Sequence, residues 1–292
     1  MPHLFCFGLG YSALEFAQHL LSQSWTISGT TRRPEKASEL QKMGIEAYVY
    51  DDREQAPQIN EQLSNATHLL HSIAPTEAGD PVFANFADDI SKSESLEWFG
   101  YLSTVGVYGN WDGAWIDEEA EPKPVSKRSK WRLAAENSWL QWAGENNKNL
   151  HVFRLSGIYG PKRSAIDRLL EGSARRIDKP GQVFNRIHVT DIARALFAST
   201  NSDANSEIYN LTDDEPAPPQ DVVAYAAELL GVEAPPLVSF EDADLSPMGR
   251  SFYGENKRVS NARIKQQLNL DLLYPTYREG LRAIAENVSN DK

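Results

Sequence analysis

Three small residues near the head of the chain carry a chemistry that needs no reactive side chain. Gly8, Gly10 and Ala13 form a G-x-G-x-x-A pattern after an apolar run at 4–7 and at the start of a helical stretch at 11–21. Gly8 permits a tight turn, Gly10 lets backbone approach a pyrophosphate, and Ala13 lets a helix lie close on a sheet. Tyr11, Ser12 and Ala13 open the helix, whose free N–H groups and dipole favour phosphate. This context predicts a dinucleotide site; the competing reading is an ordinary βα turn. A second group follows the next expected strand, at 25–29. NAD-selective sites place an acid there to accept from the ribose hydroxyls. Here the position holds Thr30 or Thr31, followed by Arg32 and Arg33. A guanidinium pairs well with a 2′-phosphate, so NADP(H) is the expected cofactor and NAD the alternative. The bland reading makes both arginines a solvated helix start.

The elements that would hold such a turn are legible as alternation. The stretches at 4–7, 25–29, 45–50, 67–73, 98–103 and 151–155 read as strands. Helical stretches lie between them: 11–21, one opened by Pro34, a short one at 55–63, then 81–91 and 127–143. In the first helix Leu14, Ala17 and Leu21 are expected on the buried face. Alternating strands and helices give parallel pairing with helices on both faces. The fold class is therefore α/β, a Rossmann-type doubly wound parallel sheet with ligand at the C-terminal strand edge. The loop at 109–125 is long enough to suggest a functional segment. The second half is cut into short pieces by Pro161, Pro180, Gly181 and the run 215–219, with amphipathic helices at 221–230 and 277–288. It reads as a smaller C-terminal α/β substrate lobe. The expected division is 1–157 with 187–212 as the dinucleotide-binding domain, and 158–186 with 213–292 as the lobe.

Bulk properties narrow the partners. A chain of 292 residues with 41% hydrophobic and 24% charged residues has globular composition. Its net charge of −12 argues against nonspecific nucleic-acid binding and against anionic membrane surfaces. The single cysteine, Cys6, lies in the first strand and suits a core position and a reducing compartment. Six scattered histidines show no metal spacing, so no structural zinc is expected. With no signal-like start and no apolar run long enough for a bilayer, the sequence predicts a cytoplasmic protein.

Several stretches in order resemble the extended short-chain dehydrogenase/reductase superfamily, the nucleotide-sugar epimerases, dehydratases and their atypical relatives. They are Tyr101-Leu102-Ser103-Thr104-Val105-Gly106-Val107-Tyr108-Gly109, Phe153-Arg154-Leu155-Ser156-Gly157-Ile158-Tyr159-Gly160-Pro161, Arg186-Ile187-His188-Val189-Thr190-Asp191-Ile192-Ala193 and Ile208-Tyr209-Asn210-Leu211. The stretch at 252–261 resembles an atypical branch of epimerase/dehydratase-like proteins of unsettled activity. The resemblance implies that Gly8, Gly10 and Ala13 hold phosphate, that Asp51 approaches the adenine, and that Ser72, Ile73 and Ala74 lie along the cofactor. It implies that Thr104 polarises a substrate oxygen. A homodimer is compatible with it.

The superfamily's Tyr-x-x-x-Lys dyad is absent. Counting back from Glu136 puts Arg132 at the lysine position and Arg128 at the tyrosine position; a second register pairs Ser126 with Lys130. Arginine stays protonated and cannot be a general acid or base, but it binds carboxylate, phosphate or ribose. Tyr108 is the nearest phenol, and His188 a titratable alternative. Arg163, Arg186 and Arg250 fall in the lobe where the superfamily binds substrate, so an anionic small molecule is the expected partner. Two function classes follow. One is an oxidoreductase or epimerase-like enzyme acting on an anionic, sugar-nucleotide or other carbonyl or hydroxyl substrate. The other is an NADP-binding regulator or redox sensor that has lost catalysis.

Overall fold

The computed structural model describes residues 1–51 and 57–290. The chain alternates as expected. Strand β1 is His3–Phe7, α1 Tyr11–Leu21, β2 Thr26–Thr31, α2 Pro34–Lys42, β3 Glu46–Val49, α3 Pro57–Asn65, β4 His68–His71, α4 Pro81–Lys92 and β5 Trp98–Thr104. The short β6 is Trp115–Ile116, then α5 runs Lys127–Asn146 and β7 Leu150–Leu155. After β8 (Gly157–Tyr159), α6 (Ala165–Leu170), β9 (Arg176–Asp178) and β10 (Arg186–His188) come α7 (Val189–Thr200) and β11 (Glu207–Leu211). The chain ends with α8 (Pro219–Leu230), β12 (Leu237–Ser239), α9 (Pro247–Phe252), β13 (Arg258–Val259), α10 (Ala262–Gln267) and α11 (Tyr277–Asn290). The helix expected at 55–63 is α3; positions 55 and 56 lie outside the described residues.

Seven strands form one sheet in the order β11-β7-β5-β4-β1-β2-β3. The β3-β2-β1-β4-β5 neighbours pair in parallel, with Cys6 opposite Gly29 on one side and Leu70 on the other. This is the doubly wound Rossmann arrangement, and the direction of winding reverses between β1 and β4. Strands β4 and β7 are buried along their whole length, as a sheet covered on both faces requires.

Two compact units emerge. The first comprises Met1–Val107, Lys127–Arg154 and Ile192–Tyr209, and the second Tyr108–Ser126, Leu155–Asp191 and Asn210–Lys292. The first unit's core joins Phe5, Phe7, Phe86 and Phe99 to Trp139 on α5. Phe99 meets Trp139 edge-on at 4.9 Å, which seats α5 against β5. In α1 the buried face is Ala13, Phe16, Ala17 and Leu20. Leu14 and Leu21, expected there, are only partly buried. Phe16 is the larger apolar payload, and turning it inward rotates the helix about one position from the expected face.

In the second unit the parallel pairs are β8 with β10, β9 with β12 and β6 with β13. Its core gathers Tyr159, Ile166, Ala226, Tyr277, Leu281 and Ile284 from β8, α6, α8 and α11. The loop expected at 109–125 contains β6, which β13 clasps in parallel register.

Candidate functional site

The glycine turn closes β1 at the point where the winding reverses. Gly8 has φ +87°, and a Cβ there would meet Ile73 Cγ1 at 2.9 Å. Both facts exclude a side chain. Thr30 pins the turn from β2: its hydroxyl accepts from the Gly8 N–H at 2.9 Å and its carbonyl from the Leu9 N–H at 2.8 Å. Gly10 is the N-cap of α1 and gives it no side-chain cap. A Cβ on Gly10 would meet only Ser72 Oγ, at 3.9 Å, so the turn is open above the helix start. These residues fit a pyrophosphate, which needs backbone donors and an open approach.

The other expected cofactor residues lie at the same strand ends. Ser72 leaves β4 with its N–H on the Phe7 carbonyl at 2.9 Å. Ser12 is buried, while Tyr11, Ser72 and Ile73 are half-buried and Ala74 exposed. Thr31 is buried at the end of β2, Arg32 and Arg33 follow it exposed, and Asp51 is exposed beyond β3. One residue was missed. Lys36, in the first turn of α2, donates its amine to the Leu9 carbonyl inside the glycine turn. Burial, then the charge of Arg33, lowers its pKa. No spacing in the sequence marks this contact, which spans 27 residues.

The residues at the expected dyad positions take different roles. Arg132 is half-buried and donates Nη1 to the Leu102 carbonyl at 2.8 Å and to Tyr101 Oη at 3.2 Å. It is tied to strand β5. Arg128 is exposed. Thr104 Oγ1 accepts from the Gly106 N–H at 3.1 Å. A Cβ on Gly106 would lie 2.9 Å from Ser129 Oγ and 3.3 Å from Thr104 Oγ1, so two hydroxyls converge there. Ser129 carried no sequence signal, because a serine between two basic residues fits no spacing rule. Beneath them lies a buried network. Glu136 accepts from Ser103 Oγ and from Arg154 Nε and Nη2, the latter at 2.8 Å.

The remaining candidates lie in the second unit. Tyr108 is buried and donates its hydroxyl to Asn210 Oδ1 at 2.8 Å. Arg163 is exposed. Arg250 is exposed too, stacked 4.7 Å from the Phe240 ring with Nη2 on the Ala243 carbonyl. Arg186 donates Nη1 to the Phe184 and Ala217 carbonyls. Its backbone carbonyl accepts from the Asp213 N–H at 2.6 Å. Burial raises the Asp213 pKa well above its ordinary value, against the charge of Arg186, and Asp213 Oδ2 has no partner. His188 is 3% exposed, packs 4.0 Å from Tyr274 and accepts from the Thr190 N–H at 3.2 Å.

Burial pushes His188 down to about 4, and His68 in the first unit likewise. Both rings are neutral when folded. The unfolded chain takes up those protons near pH 6.5, so stability falls as pH drops from 6.5 towards 4 and is flat below. Each histidine is expected to cost about 2 kcal/mol between pH 7 and pH 5. Urea unfolding at the two pH values measures it. His188→Asn keeps an acceptor for the Thr190 N–H and should remove its share of the slope; an unchanged slope rejects the assignment.

Among the described residues no helix is long and apolar enough to cross a membrane, and no group of three His, Cys, Asp or Glu could hold a metal.

No family model and no curated protein sequence matches the chain. Solved structures do. A functionally unknown conserved protein from Silicibacter pomeroyi is 48% identical, with 98% of this chain and 99% of that chain covered and a TM-score of 0.90. The UDP-glucuronic acid 4-epimerase from Bacillus cereus, solved with NAD, is 16% identical over 99% of each chain at a TM-score of 0.78. The dTDP-glucose 4,6-dehydratase from Bacillus anthracis, also with NAD, is 17% identical over 100% of this chain and 97% of that one at 0.79. The chain belongs to the same family as the Silicibacter pomeroyi protein, and its fold is that of the extended short-chain dehydrogenases/reductases, the NAD-dependent epimerases and dehydratases.

Proposed function

We propose that this chain binds a nicotinamide dinucleotide, NADP(H) in preference to NAD(H), and acts on an anionic carbonyl or hydroxyl substrate without the usual tyrosine–lysine dyad. The observation that carries the reading is the open, uncapped glycine turn at the winding reversal of the sheet, with the Lys36 amine on its carbonyl. The similarity of the fold to proteins solved with NAD supports it. Backbone N–H groups of the turn and of α1 hold the pyrophosphate. Arg32 and Arg33 receive the 2′-phosphate, and Lys36 adds positive charge at the turn. The nicotinamide supplies or accepts a hydride. Thr104, with Ser129 close by, donates a hydrogen bond to the substrate oxygen. Arg128 and Arg132 bind charge and move no proton. In the substrate lobe the charges of Arg163, Arg186 and Arg250 favour an anionic small molecule such as a sugar nucleotide, with His188 a buried, neutral neighbour. In this reading the protein works in the cytoplasm.

Titration with NADPH and NADH tests the cofactor assignment. NADPH is expected to bind more tightly, and Arg33→Ala to weaken NADPH about tenfold, the equivalent of one lost charge-assisted contact, with NADH little changed. Tighter NADH binding overturns it. A second reading, a dinucleotide-binding regulator without catalysis, is favoured by one specific contact: Arg132 at the lysine position is tied to the Leu102 carbonyl. NADPH oxidation across a panel of carbonyl compounds separates the two. Turnover with any member supports the enzyme; tight binding with none supports the regulator.

A further inference from the structure

The first unit contains a buried histidine that none of the roles above uses. His71 ends β4 and is fully enclosed. Its Nε2 lies 2.8 Å and 3.0 Å from the two carboxylate oxygens of Asp80. Its Nδ1 lies 3.3 Å from the Ile73 N–H, which can only donate. The network therefore assigns the proton to Nε2, which donates to Asp80, and leaves Nδ1 as the acceptor.

Asp80 is itself fixed. It caps α4 by accepting from the Val82 and Phe83 N–H groups, and it accepts the Trp139 indole N–H at 3.1 Å. Burial disfavours its charge, but His71 and these donors outweigh that and hold the carboxyl below its ordinary value. The imidazole is enclosed by rings from three further elements: Phe7 on β1, Tyr101 on β5 and Trp139 on α5. It cannot turn without disturbing all three.

What the ring holds is the backbone N–H of Ile73. Ile73 is also the residue against which Gly8 packs: a Cβ on Gly8 would lie 2.9 Å from Ile73 Cγ1 and 3.5 Å from its nitrogen. Ile73 thus contacts both the His71 ring, through its N–H, and the glycine turn, through its side chain and nitrogen. We propose that His71, oriented by Asp80, is a positioning residue that fixes the Ile73 backbone against the glycine turn and so sets dinucleotide affinity. This rests on the cofactor reading above. His71 does not touch the cofactor in this scheme; it acts through Ile73.

Two near-isosteres separate the two ends of the ring. Asparagine places an oxygen near the Nδ1 position but does not reach Asp80. Glutamine reaches Asp80 but offers no acceptor to Ile73. With NADPH and NADH as probes, His71→Gln is expected to raise the Kd about tenfold while unfolding near the parent midpoint. His71→Asn is expected to bind within about threefold of the parent although it is the less stable variant. If affinity follows stability instead, with His71→Asn the weaker binder, the proposal is wrong. Amide hydrogen exchange at Ile73 gives a readout that needs no cofactor. Exchange should be faster in His71→Gln than in His71→Asn, and equal rates overturn the positioning role. A parent protein that binds neither dinucleotide but shows that exchange difference would reject the cofactor reading and leave the hydrogen bond standing.

Discussion

Glu136→Ala is expected to lower the unfolding free energy by about 3–5 kcal/mol, because it leaves a buried guanidinium without its counter-charge. Glu136 is fully enclosed on α5, and Arg154 on β7 is 3% exposed. The pair is held by two donors of one guanidinium on one carboxylate, with Ser103 completing the site. Arg154→Ala should cost a similar amount, since it strands the carboxylate instead. Replacing both, Glu136→Leu with Arg154→Met, should restore most of the stability, because a buried pair gains little net energy over well-packed apolar groups. Urea unfolding of the four proteins measures this. Losses below about 1 kcal/mol in both single variants would mean that water reaches the pair, as it does for exposed ion pairs.

The pair also bears on the site. Arg132 lies one helical turn before Glu136, and both are tied to β5, through Leu102 and Ser103 respectively. Helix α5 is therefore fixed in register on the strand that ends in Thr104. A side chain at 128 or 132 projects from a rigid support, whichever chemistry it serves.

The sequence made the sheet readable and left the networks dark, for physical reasons. Strand runs such as Phe5 to Phe7 and the Gly8–Gly10 turn announce themselves through apolar content and glycine, which are local properties. The α1 face was misjudged because periodicity alone does not weigh Phe16 against Leu14 and Leu21, and packing chose the aromatic ring. Thr30 and Lys36 act on the glycine turn from 22 and 27 residues away. His71 and Asp80 are nine residues apart with a strand end, a turn and a helix cap between them. Such pairings depend on where a chain reverses, and no spacing rule encodes that. The arginines at 128 and 132 were legible as a departure from a pattern. That Arg132 turns back onto the Leu102 carbonyl was not, because a backbone acceptor leaves no mark in the sequence.

Gly109→Ala is the second large effect expected, about 2–6 kcal/mol of destabilisation in the second unit. Gly109 has φ +69°, in the left-handed region, and a Cβ there would lie 1.9 Å from the Lys123 carbonyl oxygen. Strain at φ accounts for about 1–3 kcal/mol. Relief of the clash costs a further amount of about 1–3 kcal/mol, since the obstacle is backbone and cannot swing away. The surrounding contacts resist that movement. Lys257 donates its amine to the Gly109 carbonyl at 2.7 Å, and the Asn256 carbonyl accepts from the Trp111 and Gly113 N–H groups. The 109–125 loop is thus clasped by the 255–258 segment, and the glycine after Tyr108 is there because the two ends of that loop touch, at Gly109 and Lys123. Gly144, on the exposed side of α5 with nothing within 4 Å of its Cβ position, is the matched control. Gly144→Ala, in the last turn of α5, should stabilise by up to about 0.5–1 kcal/mol, the value for alanine over glycine in a helix interior. Opposite signs at the two glycines in urea unfolding, with faster proteolysis at 109–125 only in Gly109→Ala, are the expected result. If Gly109→Ala unfolds like the parent, the loop accommodates a methyl group. The contacts from Asn256 and Lys257 would then yield to it, and they would not hold the 109–125 loop in one place.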